Sequence, residues 1–161
     1  MIKKIAILLL TFSLYNSLAM AAGTSSNGSS KSYYDKALPY IKTAKKFEAK
    51  GKIEKAKKRY SKALKYLLKS NKEKPLQADT LNYLGFTSRK LGDYENGEKY
   101  YLQGLKINPN HKGINEYLGE LYFATNRIDL VKERLNILKN CNCEEYEELK
   151  KIIEGKKTSK Y

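Results

Sequence analysis

The chain has 161 residues and carries 32 lysines and arginines against 17 acids, a formal charge of +15. That length suits one domain with a thin continuous core. One histidine and two cysteines leave no complete tetrahedral metal set, and there is no nucleophile with a credible base and no phosphate-cradling glycine loop, so no metal, no cofactor and no catalysis are expected.

In chain order, residues 1–21 carry Lys3-Lys4, an apolar run over 5–18 and then Ala19-Met20-Ala21, the pattern of a signal peptide cut before Ala22. The run is shorter than the roughly 20 apolar residues that span a bilayer, so no transmembrane span is expected in the mature chain, and a periplasmic or secreted location is. Residues 22–31, AGTSSNGSSK, read as a flexible leader.

A single domain is expected over 32–156. Its first unit, about 35–74, begins at Ser32-Tyr33-Tyr34-Asp35, which has capping-box spacing, with Asp35 as an alternative cap; Pro39 argues for a helix start close by. In the second unit, 78–111, Leu81, Leu84, Ser88 and Leu91 follow helical spacing, Gly92-Asp93 breaks the helix, and Tyr94, Gly97, Tyr101 and Leu105 resume it. Gly85 leaves room for the return helix, and the short turn makes the two antiparallel. Pro109 stops the second helix.

The third unit, 112–140, repeats Tyr83-Leu84-Gly85 as Tyr117-Leu118-Gly119, 34 residues on, and turns at Thr125-Asn126. The first unit matches the second at a step of 41, pairing Ala44, Gly51 and Tyr60 with Gly85, Gly92 and Tyr101; the seven-residue excess predicts two extra turns of helix or loop between Leu67 and Pro75. A helix over about 143–155 has glutamates early and Lys150-Lys151 late, as the helix dipole favours, and reads as the cap that a repeat array needs. Residues 157–161 are a tail.

The 34-residue step is the period of tetratricopeptide repeats. Leu81-x2-Leu84-Gly85-x2-Ser88, Gly97-x3-Tyr101 and Pro109 resemble that family's Trp-x2-Leu-Gly-x2-Tyr, Ala-x3-Phe and Pro, with the Trp, one Tyr and one Ala replaced. The resemblance implies an all-α stack of antiparallel helix pairs, a scaffold that binds a protein or peptide partner in a concave groove lined by the first helix of each pair. The groove residues it implies are Asn82, Phe86, Arg89, Lys90, Glu116, Glu120 and Phe123, joined by Ile41, Lys45 and Glu48 of the first unit. Phe86 and Phe123 would touch the partner, with Arg89 and Lys90 against its acids and Glu120 against a base; burial of both rings between units is the alternative. Asn82 and Arg89-Lys90 are also similar to the family's carboxylate-clamp positions, from which Ile41, Glu116 and Glu120 depart. The C-terminal segment, with a cysteine pair before Glu-Glu-Tyr, resembles small exported bacterial members of the family.

Residues 31–74 hold 16 basic and 4 acidic side chains, so most of the excess charge lies in the first unit. On its second helix the apolar stripe leaves Lys55, Lys58, Arg59, Lys62, Lys65 and Lys69 outward, a surface that attracts anions. One reading is association with an anionic envelope surface, lipid head groups or cell-wall polymer; the other is a solvated lysine face. Nucleic acid is not expected, since arginine, the residue suited to bidentate phosphate contact, occurs only four times. Cys141 and Cys143 suggest a disulfide clip on the cap turn, with free thiols or a thiol–disulfide site as alternatives.

Overall fold

The computed structural model describes residues 31–156; the expected signal peptide, nearly all of the leader and the tail lie outside the described residues. The described residues form seven helices, α1 (Tyr33–Ala49), α2 (Ile53–Glu73), α3 (Ala78–Lys90), α4 (Tyr94–Ile107), α5 (Lys112–Ala124), α6 (Ile128–Leu138) and α7 (Glu144–Ile153), and no strand. The helices pack as the pairs α1/α2, α3/α4 and α5/α6, each pair resting on the next, and α7 closes the stack against α5 and α6. The seven-residue excess is entirely helical, since α2 has 21 residues where α4 has 14.

The three intra-pair turns are one device repeated. Gly51, Gly92 and Asn126 take left-handed backbones at φ 68°, 90° and 58°, conformations that glycine and asparagine tolerate best. Around each, two orphan helix-end carbonyls are satisfied: Lys52, Asp93 and Arg127 donate to the carbonyls of Phe47, Ser88 and Tyr122 at 2.8, 3.0 and 2.8 Å, and the left-handed residue donates to Glu48, Arg89 or Phe123. Helix starts are individual. Ser32 caps α1 by accepting from the Asp35 amide and donating to its carboxylate, Asp93 caps α4, and His111 caps α5 through Nδ1. Pro39 therefore does not sit in the first turn as its sequence context suggested; α1 starts six residues earlier because Ser32 supplies the cap, and the exposed proline is accommodated inside the helix.

Close approach within pairs rests on small side chains. Ala37, Ala44, Ala56 and Ala63 are all buried between α1 and α2. Between α3 and α4, the ring of Tyr101 lies on Gly85, where a Cβ would stand 2.5 Å from Cε1. Tyr101 is fully buried, hydroxyl included, and the Tyr60 hydroxyl donates to Glu48 Oε2 at 3.0 Å, so neither hydroxyl reaches solvent.

These tyrosines set an alkaline limit. Burial, reinforced by Glu48, raises Tyr60 well above the ordinary range; burial also raises Tyr101 and Tyr117, and Tyr34 is pushed up to about 12 by burial, Tyr83 and Asp79. Above pH 10.0 the unfolded chain sheds protons that the folded chain retains, so stability present below that pH is lost as pH rises toward the folded values. Lys45 and Lys90, lowered by burial, act oppositely in the window below 10.5 and delay the fall. Ionisation of Tyr34, Tyr60, Tyr101 and Tyr117 is expected to accompany loss of helical ellipticity above about pH 10. Ionisation of all the tyrosines with ellipticity unchanged would contradict this.

Candidate functional site

A cavity of about 410 Å³ opens on the concave side, where α1, α3, α5 and α7 converge. Helical spacing of three and four aims side chains from one face of each helix into it: Lys45 and Glu48 from α1, Phe86, Arg89 and Lys90 from α3, Glu116, Tyr117 and Glu120 from α5. The fourth wall comes from α7, through Glu144, Glu145, Glu148 and Ile152.

The floor is aromatic and cationic. Phe86 is only 2% exposed, its ring centroid 4.9 Å from Tyr117 and 5.6 Å from Tyr60. Lys45 Nζ stands 4.7 Å above the Phe86 ring and donates to Tyr117 Oη at 3.1 Å, a placement that combines cation–π attraction with a hydrogen bond. Burial lowers the Lys45 ammonium, opposed by Glu116 and Glu120. Arg89, 2% exposed, donates from Nη1 to Glu120 Oε2 at 2.8 Å; Lys90 Nζ donates to Glu48 Oε1 at 2.9 Å. These pairs tie α3 to α5 and α1 and hold the concave face in shape.

The sequence-derived groove residues divide accordingly. Lys45, Glu48, Phe86, Arg89, Lys90, Glu116 and Glu120 come together around the cavity. Phe86 does so as a buried floor, because three helices meet over its ring. Arg89 and Lys90 face acids of their own chain rather than standing open to a partner's, since Glu120 and Glu48 lie across the groove from them. Asn82 is buried, with its amide beside Gly113 at the start of α5; its Oδ1 has no hydrogen-bond partner among the described residues. Phe123 packs, half-buried, against the second core cluster, and Ile41 belongs to the first. Neither lines the cavity.

What sequence reasoning missed is α7. Its glutamates were fully accounted for by helix-start electrostatics, so they drew no further reading. Yet the 34-residue step that links Leu84 to Leu118 lands next on Ile152, which lies in the wall. With α7 included, six glutamates face three cations. The groove of a strongly basic chain is therefore acidic on balance.

Outside the groove, Lys55, Lys58, Lys62 and Lys65 are exposed on α2, and Arg59 is half-buried 6.0 Å from the Tyr40 ring. Cys141 and Cys143 are joined by a disulfide ahead of α7, with Cys143 as its N-terminal flanking residue. A second concavity of about 650 Å³ surrounds His111, whose ring is committed to capping α5 and to Asp79 Oδ1 at 3.0 Å. Among the described residues no group of His, Cys, Asp and Glu could hold a metal ion, and no helix is long and apolar enough to cross a membrane.

Residues 78–111, the α3/α4 pair with its flanks, match the family model of the tetratricopeptide repeat. Among solved structures, the chain is similar to the first tetratricopeptide domain of Spaghetti (RPAP3) bound to the HSP90 peptide SRMEEVD, at 20% identity and a TM-score of 0.47, over 74% of this chain and 92% of that one. No curated protein matches it. The matched pair is a tetratricopeptide repeat, and it is flanked by two more helix pairs built on the same turn.

Proposed function

We propose that this protein is a non-catalytic scaffold whose concave groove binds an extended segment of a partner protein, and that the segment is basic. The observation that carries the reading is the acidic excess of the groove: Arg89 and Lys90 are paired within the chain, while α7 lines the opposite wall with Glu144 and Glu145. A partner lysine or arginine meets complementary charge there, with the apolar floor of Phe86 and Tyr117 beneath its aliphatic stem. A terminal-carboxylate ligand finds its cations already neutralised. Export belongs to the same reading and is supported by the pattern of residues 1–21 and by the disulfide, which suits an oxidising compartment.

The test is selection of random displayed peptides on the full chain. Enrichment of lysine and arginine is expected, and Glu144→Lys/Glu145→Lys should turn the preference toward aspartate and glutamate. Enrichment of acidic or C-terminal carboxylate motifs on the unaltered protein would overturn the charge assignment.

A further inference from the structure

The outer flank of α2 carries a row that folding does not explain. Lys55, Lys58, Lys62, Lys65 and Lys69 are all exposed and follow one another at steps of three, four, three and four. That spacing drifts only about 20° per heptad, so the five ammonium groups form a nearly straight line about 21 Å long. Like charges three and four apart oppose one another on a helix. No acid interrupts residues 55–72, and among the described residues none of the five lysines has an ion pair. Glu54 at the near end is engaged by Lys57, which lies on the other side of the helix.

The row has a built edge. Tyr33, Tyr66 and Tyr40 stack in sequence, at centroid separations of 6.3 and 5.6 Å, along the seam between α1 and α2. Cations are pinned over their rings: Lys36 and Lys69 lie 5.1 and 5.4 Å from Tyr33, and Arg59 lies 6.0 Å from Tyr40. Of the two exposed apolar residues of α2, Ile53 falls on the opposite flank of the helix and Leu68 lies about a quarter turn off the row.

We propose that this row is a rail for a linear polyanion whose charged groups are phosphates, recognised by charge spacing along the chain. A straight line of ammonium groups complements a one-dimensional charge array, and each phosphate neutralised releases counterions. A bilayer is the poorer match, because Leu68 is the single exposed apolar residue that borders the row, and one side chain does not anchor a helix in a bilayer. Single-stranded nucleic acid is also the poorer match: its bases need open aromatic faces, and these rings are half-buried and stacked on one another. The site is separate from the groove, on a different helix and of opposite sign.

The probe is labelled inorganic polyphosphate, titrated into the full chain and followed by fluorescence anisotropy at several salt concentrations. Lys58→Glu/Lys62→Glu/Lys65→Glu should weaken binding at least tenfold and flatten the salt dependence. Lys57→Glu/Lys99→Glu/Lys106→Glu, with the same net charge but off the row, should stay within about threefold of the unaltered protein. Equal loss in the two variants would overturn the proposal in favour of undirected attraction to net charge. Tighter binding, at matched charge, to phosphatidylglycerol vesicles or to oligothymidylate than to polyphosphate would overturn it in favour of a membrane or a nucleic acid.

Discussion

Replacing Glu120 with alanine is expected to lower the unfolding free energy by about 3–5 kcal/mol, the usual cost of breaking a buried ion pair from one side. The Arg89 side chain is 1% exposed and that of Glu120 12%, and their 2.8 Å contact joins α3 to α5 across the groove floor. Without Glu120, the guanidinium loses the carboxylate that offsets its burial among Phe86, Tyr101 and Tyr117. The paired replacement Arg89→Met/Glu120→Leu removes both charges at similar volume and should recover most of the loss. Urea unfolding of the three variants measures this. A loss below about 1 kcal/mol for Glu120→Ala would mean that the pair is not buried in solution.

Leu149→Ala should cost about 2–5 kcal/mol and act first on α7. Leu149 is fully buried, and its Cδ2 and Cδ1 occupy the space a Cβ on Gly119 would need, at 2.6 and 2.9 Å. Truncation opens a cavity against a glycine, which has no side chain to fill it. Ile152 is then the sole fully buried anchor of α7. Hydrogen exchange along α7 should accelerate more than along α3/α4, because each unit of a stack depends on its neighbours alone. Uniform acceleration along the chain would place α7 in the global unfolding unit instead. The same variant should lose peptide binding ahead of global unfolding, since α7 carries the acidic wall.

The parts of this architecture that were legible in the sequence are those set by local chemistry. Gly92-Asp93 marked the turn because one position needs a left-handed backbone; Gly85 marked close helix contact; the 34-residue step related the second pair to the third, and a step of 41 the first to the second. What was not legible depended on side chains of distant helices. Nothing local to Arg89 or Lys90 says that Glu120 and Glu48, 31 and 42 residues away, reach them first. Phe86 reads as an exposed anchor until Tyr60, Lys45 and Tyr117 close over it. The glutamates of α7 satisfied a local rule so completely that their second role, as a wall, had no separate signal beyond the step from Leu118 to Ile152.

The most direct test of the groove is amide hydrogen exchange of the full chain with and without a saturating lysine-bearing peptide taken from the selection. Protection is expected on the inner helices, around Lys45, around Phe86 and Lys90, around Tyr117 and along α7, with α2, α4 and α6 unchanged. Protection confined to α2, α4 and α6, with the inner helices unaffected, would contradict it.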